Sequence, residues 1–353
     1  GAGSERTFNY ITGLHETIEE GIRLFEHLLA DAKADQKAYD SYVDQILKSR
    51  HDAKTQKASI QNALNNYVMY GPNSRFRDIV SEEELKAINP QELVDILKDF
   101  LNYEHQIFYY GNDLSTTKKA ILNHHNFGSK KRIPSPKVYP QPETDGKVYF
   151  APYEMVQAEI SMRSREGKFD KDLLTASGIF NEYFGSGLSS IVFQEIRESK
   201  SLAYSAYTFY SNARDKNKYN YVMAYIGTQA NKLPEAVDAL NDLMNNMPKA
   251  ENQFQNSKVS ALKKISTSRY TKSDIFFYWL SLKDRGINYD INKDIYKETQ
   301  NMTMSDLEQF FNENIKGRNF DVGIIGDKDN LDWEAVGKMG EVVELTLEEL
   351  FGY

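Results

Sequence analysis

The 353-residue chain has no cysteine, which excludes disulfides, thiolate zinc sites and cysteine nucleophiles. That avoidance fits an oxidising compartment, and the bacterial periplasm or cell envelope is the expected location. No apolar run approaches the ~18 residues of a membrane helix, so membrane insertion is not expected. Basic charge is also short. A net charge of -8 and a pI near 5.5 supply no basic stripe for phosphate, which argues against a nucleic-acid partner. The opening Gly1-Ala2-Gly3-Ser4 shows neither the charged nor the apolar region of a signal peptide. What is present is core material: 40% of the residues are hydrophobic and 12% aromatic, enough to exclude wholesale disorder. The length suits two domains, possibly three.

Periodicity divides the chain. Phe8, Ile11, Leu14, Ile18, Ile22, Phe25 and Leu29 form a helical stripe, and a second helix is expected from Gln36 to Tyr70, stopped by Gly71-Pro72-Asn73. Ser81 with Glu84 fits a capping box, and Asn89-Pro90 fits an N-cap with proline at the first helical position. A strand is expected at His105–Tyr110, ended by Gly111. From Phe127 to Gly146 four prolines interrupt every pattern, which predicts an extended linker. Beyond it the period becomes two: Val156, Ala158, Ile160 and Met162 alternate with polar residues, as in a strand with one buried face. A helix over Phe169–Phe184, a second over Leu188–Glu198, strands at Leu202–Tyr210 and Tyr219–Thr228, and several helices over Leu233–Asn314 follow. Strands at Phe320–Ile325 and Val342–Leu345 close the chain.

An internal similarity orders these parts. Asn89-Pro-Gln-Glu-Leu-Val-Asp-Ile-Leu and Thr303-Met-Ser-Asp-Leu-Glu-Gln-Phe-Phe are both capped helix starts that place Leu93 opposite Leu307. Each leads to an apolar run ended by glycine, Gly111 or Gly326. The two halves then read as copies of one domain, and the first copy is short by roughly 68 residues of opening strands. The expected architecture is therefore α+β with two related domains. Residues 1–128 form a mostly helical, N-terminally truncated domain, 129–146 a proline-rich linker, and 147–353 a complete domain with an antiparallel sheet packed by helices. More protein is expected upstream.

Six histidines decide the metal question. Neither His-x-x-x-His nor His-x-x-Glu-His occurs, so no catalytic residue and no metal ligand of its own is assigned to the chain. His15 with Glu19 reads as exposed helical charge, and His124-His125 as surface residues. Gly-x-Ser-x-Gly, Walker and dinucleotide fingerprints are absent, and Gly185-x-Gly187 lacks the context of a phosphate loop.

The most specific stretch runs from Phe184 to Tyr204, FGSGLSSIVFQEIRESKSLAY. It resembles a segment of the pitrilysin and insulin-degrading-enzyme family of zinc peptidases, the inverzincins, with its Glu-x-Arg element followed by Leu-Ala-Tyr. The resemblance implies repeated α+β domains, two per half, with the halves facing across a closed chamber. It also implies that the catalytic zinc motif sits in the N-terminal half, while the C-terminal half contributes an arginine and a tyrosine at the scissile bond. Here those positions match Arg197 and Tyr204. In the register set by Phe184 and Gly185, the zinc-motif positions of this copy fall on Ser177, Phe180 and Asn181, which cannot form the site.

The chain is thus expected to be the non-catalytic C-terminal half of a zinc metallopeptidase. The expected partners are a zinc-bearing catalytic half, in the same polypeptide or a partner chain, and a peptide substrate. An inactive scaffold or partner subunit of the same fold is the alternative. Independently of the resemblance, an arginine in the last turn of a helix and a tyrosine at the next strand can both project from one corner, suited to peptide carbonyls and a developing oxyanion. The same two residues also suit a helix C-terminal dipole and a packed strand end.

Overall fold

The structure is a computed structural model that describes residues 6–353, so the Gly1–Ser4 reading lies outside it. The helices of the first part are α1 (Ile18–Ala30), α2 (Gln36–Ala53), α3 (Lys57–Tyr70), α4 (Glu82–Ala87), α5 (Pro90–Asp99) and α6 (Leu114–His124). In the remainder, strands β1 (Val148–Pro152), β2 (Gln157–Lys168), β3 (Ser205–Ser211), β4 (Tyr219–Gln229), β5 (Asp321–Gly326) and β6 (Val342–Glu344) build one sheet. Around it stand α7 (Leu174–Phe180), α8 (Leu233–Asn245), α9 (Glu251–Thr267), α10 (Ser273–Asp284), α11 (Asn292–Asn301), α12 (Met304–Asn314), α13 (Trp333–Met339) and α14 (Leu347–Phe351).

The local signals act as their chemistry requires. Ser81 and Glu84 close a capping box on α4, Thr303 and Asp306 close one on α12, and the Asn89 side chain accepts from the Gln91 amide at the start of α5. Gly71 ends α3 at φ 67°, a conformation that costs glycine nothing. Three expectations change. The Phe8–Leu29 stripe becomes helical only from His15, with the regular α1 beginning at Ile18. The Gln36–Tyr70 helix is broken between Ala53 and Lys57, and Val156 lies exposed ahead of β2 rather than within its buried face.

Two compact units result. The first joins the chain up to Asp52 with Val80–Val138; the second joins Ala53–Ile79 with Tyr139–Tyr353. The boundary therefore departs from one drawn at 128, and α3 is the reason. Its apolar residues Ile60, Leu64 and Val68 pack with Ala151, Ile325, Leu345, Leu350 and Phe351, all of the second unit. Burial on the sheet outweighs sequence proximity.

In the second unit the strand order is β3-β4-β2-β5-β1-β6. β2 pairs antiparallel with β4 and β5, and β3 with β4, while β1 runs parallel to β5 and β6. Both faces are covered. Val148, Phe150, Ile160, Met162 and Ile324 belong to the large core under α7, α8, α9 and α12, whereas Ala151 and Ile325 face α3 and α14. Adjacent residues diverge because successive side chains leave opposite sides of a strand. All six residues of β5 are buried, as a strand covered on both faces requires.

The first unit has a smaller core, in which Tyr39, Val43 and Leu85 pack with Ile46, Leu47 and Ile88, and the Tyr39 hydroxyl donates to the Leu85 carbonyl at 2.6 Å. The expected strand at His105–Tyr110 does not form. Among the described residues this unit holds no named strand, so the segment has no ladder to join.

Candidate functional site

The site is built on two helical segments and the edge strand β3. α7 continues into a π-helical turn over Asn181–Gly185, and a second π-helix covers Phe193–Ser199 in place of the regular helix expected over Leu188–Glu198. Widened turns of this kind rotate side chains relative to an α-helix and concentrate at functional sites. Gly185 allows the close approach to β3: a Cβ there would stand 1.9 Å from the Thr208 carbonyl oxygen.

The three positions that match the zinc motif have other occupations. Phe180 is wholly buried and stacks on Phe184 with ring centroids 5.1 Å apart. Ser177 donates to the Leu174 carbonyl and accepts from the Asn212 amide at 2.8 Å. Asn181 donates to the Tyr210 carbonyl at 3.0 Å and accepts from the Tyr210 amide at 2.7 Å. A primary amide used this way completes the hydrogen bonding of an edge strand as a neighbouring peptide would. An aromatic core residue and two engaged polar groups do not fit a zinc ion.

Arg197 and Tyr204 stand at opposite ends of one tightly bonded corner. The Lys200 amide donates to the Glu195 carbonyl and the Leu202 amide to the Ile196 carbonyl, with Ser201 between them at φ 50°. The Thr228 hydroxyl donates to the Leu202 carbonyl at 2.5 Å, and the Tyr204 amide to the Gly227 carbonyl at 2.8 Å. These bonds fix the backbone that carries both residues.

Their side chains remain in solvent. The Arg197 guanidinium lies over the Phe193 ring, 4.8 Å from its centroid, and its Nε is 3.6 Å from Glu198 Oε1. Tyr204 is 53% exposed, and its hydroxyl accepts from Gln229 Nε2 at 3.0 Å. A phenol that accepts from an amide still has its own hydrogen to give. Gln229 and Phe193 are the two supporting residues that sequence reasoning missed. The only signal for Gln229 was its position at the end of β4, beside the strand that follows Tyr204.

Residues 87–265, half of the chain and the whole of this site, match the family described as the peptidase M16 inactive domain. The chain belongs to that family. The M16 inactive domain of Pseudomonas fluorescens superposes with a TM-score of 0.64 at 14% identity, covering 89% of this chain and 76% of that one. The ferredoxin protease FusC, solved as an E83A mutant in complex with Arabidopsis ferredoxin, gives a TM-score of 0.67 at 11% identity, covering 88% of this chain and 34% of that one. Identities this low show the shared fold. In sequence, the uncharacterized zinc protease YmxG of Bacillus subtilis is 22% identical over 230 residues, which cover 63% of this chain and 51% of that protein. The M16 inactive domain described here thus spans about half the length of that curated relative.

Proposed function

We propose that this M16 inactive domain is the non-catalytic half of a zinc metallopeptidase, and that it closes a peptide-binding chamber over a catalytic half in the same polypeptide or a partner chain. The zinc belongs to that other half. Substrates are peptides or unstructured segments, held by main-chain hydrogen bonds and by an Arg197/Tyr204 pair. The observation that carries this reading is an exposed phenol on a corner held by backbone hydrogen bonds. The Tyr204 hydroxyl is oriented by Gln229 yet free to donate, as an oxyanion donor must be. Arg197 offers a guanidinium fork to peptide carbonyls, with Phe193 beneath it to hold the plane.

Steady-state kinetics of the protein reconstituted with its catalytic half test the proposal. Tyr204→Phe is expected to lower kcat by about 10²-fold with little change in KM, because an oxyanion donor acts mainly in the transition state. Arg197→Ala is expected to raise KM as well, through lost positioning. Full activity in both variants, with a large fall in Tm, would make the pair structural and leave an inactive scaffold of the same fold as the better reading.

A further inference from the structure

All six histidines lie in the first unit, between His15 and His125, and two of them meet in a way that the peptidase reading does not use. Contrary to a surface assignment for the pair, only His124 is on the surface; the His125 side chain is 5% exposed. As neighbours, the two rings part. His124 Nε2 reaches Glu19 at 3.2 Å, and His125 Nδ1 reaches Glu26 Oε1 at 2.7 Å, so both grip α1. His105, from the segment that failed to become a strand, sets its Nδ1 2.7 Å from the Tyr103 carbonyl oxygen.

Those contacts decide the tautomers. A carboxylate oxygen and a peptide carbonyl can only accept, so each ring places an N–H at Nδ1. In the neutral rings both Nε2 atoms then keep lone pairs, and these two atoms stand 2.8 Å apart, a hydrogen-bond distance when one ring carries a second proton, with the rings at 86° to one another. Two lone pairs that face each other at this distance repel unless something electropositive lies between them. The surroundings identify what suits the position. A metal-bound histidine characteristically donates its other N–H to a carboxylate or a backbone carbonyl, which fixes the ring and raises its basicity. Here one ring has the carboxylate and the other the carbonyl.

We propose that His105 and His125 form a binding site for a divalent transition-metal ion of the imidazole-preferring class, zinc or copper foremost. With metal–nitrogen bonds of about 2.0–2.1 Å, a tetrahedral ion needs the two nitrogens about 3.3 Å apart. The pair opens by about half an ångström to admit it. His105 is exposed and can make that adjustment, while His125 is held between Glu26 and the edge of Phe127, whose centroid is 4.8 Å away. Among the described residues no three potential ligands converge as a metal set, so water completes the coordination and the ion is exchangeable. Metal here ties α1 and the end of α6 to the 103–105 segment, which is itself pinned by the Glu104 amide on the Lys131 carbonyl at 2.9 Å. The site is independent of the Arg197/Tyr204 reading.

Titration calorimetry of the untagged full chain with zinc chloride, after chelator treatment, is the test. One zinc per chain is expected to bind and to be removable by chelator. Copper at the same site is expected to show two imidazole nitrogens in its electron paramagnetic resonance spectrum. His105→Ala, at an exposed position, is expected to weaken binding at least tenfold with unchanged circular dichroism. Glu26→Gln is expected to weaken it by about 10–100-fold, the usual cost of a lost supporting carboxylate. His51→Ala is expected to change nothing. Absence of binding at millimolar zinc would overturn the proposal and leave a shared proton between the rings. Equal affinity in the parent and His105→Ala would also overturn it, by placing the metal elsewhere.

Discussion

Asp321 shows how one residue can pull against itself. Its Oδ1 accepts from the amides of Asp145, Gly146 and Lys147 at 3.2, 2.9 and 3.1 Å, which secures the end of the linker to the start of β5. Burial nevertheless raises its pKa to about 6, with the neighbouring Asp145 carboxylate adding to the rise against those amide bonds. Because the folded value lies above the ~3.9 of an unfolded aspartate, the native state binds this proton more tightly. The associated stability is complete below about pH 4 and lost as the pH rises through about 6. Asp321→Asn keeps an oxygen for the three amides and turns a donor toward Asp145. The variant is expected to be more stable than the parent above pH ~6 by roughly 1 kcal/mol, or ~2–4 °C in Tm, and to have a flatter pH profile between about 4 and 7. Thermal melts across that range check it; a parental slope in the variant would show that another group titrates.

At the scale of elements, the repeat expected from the sequence pairs two leucines that the fold packs differently, and a matched pair of substitutions tests that difference. Leu93 of α5 and Leu307 of α12 sit at equivalent places in equivalent capped helices, yet Leu93 is 42% exposed and Leu307 is fully buried. Leu307→Ala is expected to cost about 2–5 kcal/mol and Leu93→Ala under ~1 kcal/mol, measured by urea unfolding. Comparable losses would mean that Leu93 has a packing partner in solution. The same contrast explains what the residues made legible. Capping boxes, N-caps and strand alternation are local, and α4, α5, α12, β2, β4 and β5 follow from them. The His105–Tyr110 segment carries as good a strand pattern as β5, but a strand exists only with a partner, and no local pattern reports that. The π-helical turns were equally invisible, since their i→i+5 bonds, such as Lys200 to Glu195, depend on how Gly185 and the corner meet β3. At the site itself, Arg197 and Tyr204 stood out by their motif, whereas Gln229, 25 residues from Tyr204, could be found only by folding the chain.

For the whole molecule, the path of α3 matters most. The chain leaves the first unit at Asp52, contributes α3 to the face of the second unit's sheet, and returns at Val80. Sequence proximity assigns α3 to the helices on either side of it; its buried residues assign it to β1 and β5. The two cores also differ greatly in size, a few side chains around Tyr39 and Val43 against the extensive cluster beneath the sheet. Opening free energies follow buried apolar contacts, so the units are expected to exchange amide hydrogens as separate cooperative blocks. Hydrogen exchange read by mass spectrometry is expected to show slow exchange in β2, β4 and β5, and faster exchange in α1, α5 and α6. The decisive peptides are those of α3. They are expected to exchange at the slow rate of the sheet although α2 before them and α4 after them exchange fast, and denaturant melts are expected to show two transitions, with α3 in the later one. If α3 instead opens together with α2, its packing against Ala151 and Ile325 does not govern its stability, and the division of the chain follows sequence order after all.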